Sequence, residues 1–599
     1  MLGCSTIRPV THIVSFSILL TAELKQTISR SRELNHRSTV SSLGGSHNQE
    51  TIMASKDTSS KIQDIISQSN KKSILIDQGP PKRYQLVTNK QTLDQDNTLR
   101  RCTFGERDPT KVNKTILVVG ETGTGKSTLI NVMVNYVLGV EWEDKVWFEI
   151  VEEKIEEEKR KTESRTTGIT VYEVFGFEGL RVPYSLTIID TPGYGDTRGI
   201  GEDQLIAEKM FELFRSTDGI HQIDTVGLVV KSSANRLTVE QRYIFDAVLS
   251  LFGKDMEKNI VALITHSDGV EPTNALQALE DAHVPLAKDD SNQSIYFLFN
   301  NSQIKSLTSA KATQAKKEER ILKNLWDLSE EGMEEFTEFL GRITPKNVKM
   351  TEGVLRERKQ LEACVGNLHE RIEMIDLKQN EIKQTQEALE KHKKERDENK
   401  NFSYTVEEPY KDKVPIESSW WHFTRQATTC SVCKENCHYP DCWWVTDLSW
   451  CSVMKDEHCI VCTGNCHYSK HVKENKKYVI KTRPVPKTYE ELKNKYDINK
   501  KAAGEKGTLI SRLQTELEQF TPEKARLVEE SYQCVIKLEE IALKAISLST
   551  AQHLGFLIEK MKETGNTEKF QKLEEMKKRA EKHKGVMSYF RTGYNWVRS

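Results

Sequence analysis

Residues 116–139 read ILVVGETGTGKSTLINVMVNYVLG, and this stretch decides the fold. Four consecutive apolar residues, Ile116 to Val119, suit a strand buried on both faces. Gly120, Glu121, Thr122, Gly123, Thr124, Gly125, Lys126 and Ser127 then fit G-x-x-x-x-G-K-[ST], and Thr128 opens an apolar helical pattern. Strand, glycine-rich loop and helix together let successive backbone amides and a helix N-terminus cradle phosphates. Lys126 then reaches the β and γ phosphates, which makes it the first candidate catalytic residue, and Ser127 offers its hydroxyl to Mg2+.

Short apolar runs follow at LTIID (186–190), VGLVV (226–230), IVALIT (260–265) and IYFLFN (295–300), separated by helical patterns. Buried strands alternating with helices predict an α/β fold with a doubly wound, mostly parallel sheet over residues 110–345. Asp190 ends one of these strands and is followed by Thr191, Pro192 and Gly193. An acid there can hold the Mg2+ shell through water, and the Gly193 amide can sense a γ-phosphate, so the segment after it reads as a switch. Between loop and strand, Thr166 or Thr167 supplies a hydroxyl for the same metal.

Thr265-His266-Ser267-Asp268 closes another strand. The Asp268 carboxylate can accept both N1–H and the exocyclic amine of guanine, donors that adenine does not present together, so the nucleotide is read as GTP or GDP. No lysine stands there to stack on the base, and His266 or Ser267 occupies that region. Asn300 and Asn301, at the end of a further strand, are placed to close over the base. No glutamine follows Gly193 to orient an attacking water; the sequence runs Tyr194, Gly195, Asp196, Thr197. Turnover is therefore expected to be slow, raised by a partner subunit or by Asp196 in a rearranged switch.

With these motifs in order, and with LVVKSSANRLTVEQRYIFDAVLSLFG at 228–253, residues 110–345 resemble the immunity-associated nucleotide-binding (AIG-type) GTPases and, beyond them, the chloroplast-import receptor GTPases and septins. The resemblance implies a G domain that dimerises across its nucleotide face, hydrolyses GTP slowly and often belongs to a membrane-associated scaffold. The THSD segment and the long acidic run EWEDKVWFEIVEEKIEEE (141–158) depart from the usual pattern.

The chain has 599 residues, more than one core usually holds. Lys plus Arg (87) nearly balance Asp plus Glu (88), so charge points to neither nucleic acid nor an anionic membrane as the main partner. Residues 1–109 read as a low-order extension and linker with one short helix at Ile62–Ile66, and translation is expected to start at Met53. The run Ile13–Ala22 is too short to span a bilayer, so any membrane contact is expected to be peripheral. Leu361, Leu368, Ile375, Ile382 and Leu389 repeat every seven residues, which predicts a coiled-coil arm over 346–400. A returning helical arm is expected at 485–548, restarted near Pro522, and a mixed helical and aromatic tail at 549–599.

Between the arms, at 401–484, lie eight of the twelve cysteines. Cys430-x2-Cys433-x3-Cys437-His438-Tyr439-x2-Cys442 repeats as Cys459-x2-Cys462-x3-Cys466-His467-Tyr468-x2-His471, offset by 29 residues. Each half offers a C-x2-C pair, whose spacing lets two thiolates grip one ion, plus two further ligands. Two structural Zn2+ sites are expected: Cys430, Cys433, Cys437 and Cys442 in one, Cys459, Cys462, Cys466 and His471 in the other. His438 or His467 could replace a cysteine, and the halves could interleave. The simplest geometry carries this module at the tip of a helical hairpin, where it and the coiled coil would recruit protein partners. Metal-ligating thiols and GTP together place the protein in the cytoplasm.

Overall fold

The structure is a computed structural model. It describes residues 60–67, 71–94, 98–152, 168–191, 218–300, 312–391, 403–416, 426–439, 447–488 and 520–582, and a few positions near 209–216, at 302 and at 515–518.

The strand that opens the P-loop sits mid-sheet. The first strands are β1 (Ser73–Asp77), β2 (Lys82–Leu86), β3 (Asn89–Thr92), β4 (Leu99–Phe104), β5 (Asn113–Val119) and β6 (Val146–Glu149). There follow β7 (Ile169–Val174), β8 (Ser185–Asp190), β9 (Gln222–Ile223), β10 (Thr225–Lys231), β11 (Ile260–Thr265), β12 (Tyr296–Leu298) and β13 (Lys346–Asn347). Eight of them form one sheet in the order β12-β11-β10-β5-β8-β7-β4-β3. Pairing from β12 to β8 is parallel throughout, β7 runs antiparallel to β8, and β3 antiparallel to β4. A mostly parallel sheet needs cover on both faces. Helices α2 (Lys126–Val137) and α5 (Ala312–Arg342) cover one face, packing Ile130, Met133, Phe336 and Leu340 on Ile116 and Val118. Helices α3 (Val239–Leu249) and α4 (Thr273–Asp281) cover the other with Phe245, Val248 and Leu279 against Leu117 and Val119.

The linker expected up to residue 109 is not what the chain builds over 60–67, 71–94 and 98–104. The short helix is present as α1, residues 60–66, with Ile62 and Ile65 buried. Beyond it, β4 extends the main sheet by pairing parallel to β7, and β2 pairs parallel to β6 in a separate three-stranded sheet. Buried Leu86, Leu99 and Phe104 anchor these strands.

After the sheet, α6 (Lys349–Lys391) runs beside α7 (Phe520–Ile541), α8 (Leu548–Glu563) and α9 (Thr567–Lys582). Pro522 lies within α7 as described, and Thr515 and Glu518 ahead of it are also helical. Leu361, Val365 and Leu368 of the heptad pattern share a core with Leu527, Val535, Leu538, Leu554, Leu557 and Leu573. The tail expected at 549–599 thus supplies two of four packed helices, because Leu554, Leu557 and Met561 recur at helical spacing. Residues 489–514 of the expected returning arm lie outside the described residues.

The cysteine module lies on the flank of α6 rather than at a hairpin tip. A ribbon of β14 (Ser403–Pro415) and β20 (Lys476–Thr488) leads the chain back along the helix, with Glu407 N–H donating to Gln384 and Lys487 paired with Glu381. Within the module β15 (Ala427–Cys430) is flanked by β16 (Glu435–His438) and β19 (His471–Glu474), and β17 (Met454–Lys455) pairs with β18 (His458–Cys459). Arg371 pairs with buried Glu435 at 2.8 Å, and Asn367 donates to the Asn436 carbonyl at 2.7 Å. These contacts hold the module against the middle of α6. No helix among the described residues is long and apolar enough to cross a membrane.

A half-buried cation helps fasten the helices to the nucleotide domain. The Arg358 guanidinium, on α6, donates to the carbonyls of Ser250, Lys544 and Ala545 and to the hydroxyls of Ser547 and Thr550. Burial pulls it down to about 9, so it stays charged at neutral pH. Leu543 N–H also donates to the Phe252 carbonyl at 2.9 Å.

Candidate functional site

At the end of β5 the chain turns through positions that exclude side chains. A Cβ on Gly120 would lie 2.9 Å from the Val229 carbonyl oxygen and 3.0 Å from Thr124 Oγ1. Gly125 adopts φ 91° and begins α2 without a side-chain cap, so the amides of the first turn remain available to an anion. Thr124 braces the loop through its N–H and hydroxyl, both donating to the Glu121 carbonyl at 3.2 and 2.8 Å. Thr265 of β11 donates its hydroxyl to the Thr124 carbonyl at 2.7 Å, tying the loop to the strand that leads to the base site. Sequence reasoning gave Thr265 no such role, because only the fold brings the two loops together. Thr122 and Gly123 are exposed, and Ser127 and Thr128 are half-buried at the helix start.

Lys126 folds back so that Nζ donates to the Gly120 carbonyl at 3.2 Å. Burial lowers its amine and Asp190 opposes that shift. Asp190, at the end of β8, is 1% exposed, and neither carboxylate oxygen has a hydrogen-bond partner among the described residues. Burial pushes its carboxyl up to about 6 against the pull of Lys126. A buried carboxylate with both oxygens unpartnered costs folding free energy unless a cation or donor arrives. The donor set therefore fits a hard cation such as Mg2+, held by Asp190 and the Ser127 hydroxyl next to a bound phosphate.

The base side is built by β11 and β12. His266 has φ 54°, which turns the chain so that Ser267 points inward and Asp268 outward. Asp268 is exposed, with Oδ1 accepting from Val270 N–H at 3.1 Å. Asn300 is buried and directs its amide to the Ser267 carbonyl at 2.7 Å, so it supports the Asp268 turn from beneath. Thr166, Thr167, Gly193, Asp196 and Asn301 lie outside the described residues.

A second constellation lies in the cysteine module. Cys430, Cys433, Cys462 and Cys466 form one group and Cys437, Cys459, Cys462 and His471 another, the donor atoms of each within 4.8 Å of one another. The ligand sets expected half by half thus give way to interleaved ones, because β15 pairs with both β16 and β19 and brings the two halves of the repeat face to face. His471 Nδ1 lies 3.1 Å from the His467 carbonyl, while buried Nε2 has no partner. That fixes the tautomer with a lone pair aimed at the thiols, as a metal ligand requires. The Cys437 thiol beside Cys459 holds it down to about 4. Cys451 is a buried thiol 3.3 Å from His438 Nδ1, and Cys442 lies outside the described residues.

A P-loop after the central strand of a mostly parallel sheet, with a buried acid on the neighbouring strand, defines a nucleotide-binding domain of the G-domain type. Residues 114–338 match the model of the AIG1 family. No curated protein matches the chain. Among solved structures it is similar to Toc33 from Arabidopsis thaliana in complex with Mg2+ and GMPPNP, at 18% identity, covering 39% of this chain and 88% of that one with a TM-score of 0.25. Toc33 from the same plant with GDP and Mg2+ gives 16%, 40%, 88% and 0.25. A dimerization-deficient mutant of Toc33 gives 16%, 38%, 84% and 0.24.

Proposed function

We propose that this protein binds GTP and GDP with Mg2+ at the P-loop and acts as a nucleotide-dependent switch or scaffold. The observation that carries the reading is Asp190, buried with both oxygens unpartnered beside buried Lys126. Mg2+ supplies charge neutralisation and orientation of the phosphates when bound. Ser127 and Asp190 hold it, the amides from Gly123 to Ser127 cradle the phosphates, and Asp268 selects guanine over adenine. The AIG1 match supports a guanine nucleotide at this site.

Hydrolysis is slow, because residues 194–197 supply no glutamine to orient water, and it rises when two G domains associate; Lys126 and Asp196 are the residues assigned to it. The two thiol groups hold structural Zn2+ with protein ligands throughout, leaving no position for a catalytic water. The module and its ribbon then present a rigid face to protein partners in the cytoplasm. The missing glutamine also favours a second reading, a GTP-binding scaffold with negligible turnover.

The test is nucleotide binding and turnover on the full chain, GTP against ATP and wild type against Lys126→Ala, over a range of protein concentrations. GTP-selective binding with turnover per molecule rising with concentration supports the switch. Binding with negligible turnover supports the scaffold. Equal affinity for ATP and GTP refutes the role of Asp268.

A further inference from the structure

Two closed tetrahedral zinc sites need eight protein ligands, and the two thiol groups of the module contain seven residues. One residue, Cys462, belongs to both groups. We infer that the Cys462 thiolate bridges two metal ions, so that the module holds one binuclear cluster; this deepens the zinc reading above and rests on it.

Several features prepare the thiols for that charge. Cys462 is fully buried, and its sulfur accepts Cys466 N–H at 3.3 Å. Cys430 Sγ accepts Cys433 N–H at 3.4 Å, Cys459 Sγ accepts Cys462 N–H at 3.4 Å, and Cys433 Sγ accepts Gly464 N–H at 3.2 Å. Amides aimed at sulfur stabilise thiolate over thiol. Gly464 lies so close that a Cβ there would be 3.0 Å from Cys466 Sγ and 3.2 Å from Cys433 Sγ. Arg526 of α7 donates to the carbonyls of Val461 and Cys462 at 3.2 and 3.0 Å, placing a cation behind the bridging residue. Six thiolates, one neutral imidazole and two divalent ions leave a cluster of net charge −2, which these amides and Arg526 offset.

The crossed ligands also decide how the module holds together. The first group joins Cys430 and Cys433 to Cys462 and Cys466, and the second joins Cys437 to Cys459, Cys462 and His471. Each ion clamps both halves of the repeat, and Cys462 joins the ions to each other. Neither half can release its metal alone. The rival source of an eighth ligand is Cys442, which the 29-residue offset pairs with His471.

The experiment uses the full chain. Elemental analysis after purification with zinc is expected to give two ions per chain, one for each group. After exchange to cadmium-113, two resonances split by mutual scalar coupling through the shared sulfur are expected. Cys462→Ser loses both ions, whereas Cys442→Ser keeps both. Two ions without mutual coupling, or loss of one ion in Cys442→Ser, overturns the shared thiolate and leaves the zinc reading intact. No bound metal in the wild type overturns both. If Cys462→Ser fails to fold, the coupling measured on the wild type still decides.

Discussion

Replacing Asp190 by Asn should stabilise the nucleotide-free protein and abolish its response to ligand. Burial raises the Asp190 carboxyl from its ordinary 3.8 to about 6. At 1.36 kcal/mol per unit, ionising it in the folded state at pH 7 costs about 3 kcal/mol, a figure that already includes the attraction of Lys126. Because the folded value is raised, the native state holds the proton more tightly than the unfolded chain. The penalty is complete above pH about 6, shrinks as pH falls towards 3.8 and is absent below it. Asp190→Asn removes it. In calorimetry without nucleotide at pH 7, the G-domain transition of the variant should rise by roughly 6–12 °C, taking about 2–4 °C per kcal/mol for a domain of this size. The difference should fade at pH 4. Adding GTP and Mg2+ should raise the wild type and leave the variant where it was. A variant that melts at or below the wild type at pH 7, or a gap that persists at pH 4, refutes the argument that Asp190 is a strained carboxylate waiting for a cation.

Arg358→Ala leaves three part-buried carbonyls without this donor, at about 1 kcal/mol each, and should lower stability by about 3 kcal/mol in urea denaturation. Helices α7–α9 should then be cut by protease before the G domain. Thr265→Val removes the bond to the Thr124 carbonyl, with an expected cost of about 1 kcal/mol and a severalfold weaker nucleotide affinity by titration calorimetry. Asp268→Asn replaces an acceptor by a donor, and should weaken GTP at least about tenfold, or 1.4 kcal/mol, while leaving ATP unchanged. Equal losses for both nucleotides would refute base contact at that residue.

Strands with continuous apolar runs were legible in the sequence, and so was the loop whose glycines admit no side chain. The strands that were missed have polar or mixed sequences. β3 is NKQT, exposed at every position, and β4 is LRRCTF, buried only at its ends; both are held by pairing to a neighbour that propensity cannot see. The basic stretch 470–483 contains β19 and the start of β20, whose cross-strand partners in β14 include Glu408 and Asp412. Spacing showed that the cysteines come in C-x2-C pairs but not which half completes which group, since that follows from the pairing around β15. The isolation of Asp190 and the brace from Thr265 depend on contacts between distant loops, so no local pattern carries them.

The long excursion between Lys391 and Phe520 separates two helices that lie side by side. Closing a flexible segment costs entropy that grows as the logarithm of its length. Once the ribbon has docked on α6, the segment left to close runs only from Thr488 to Phe520, which lowers that cost by about 1 kcal/mol. A docked ribbon therefore lowers the entropy that α7 to α9 must overcome to pack on α6 around Arg358.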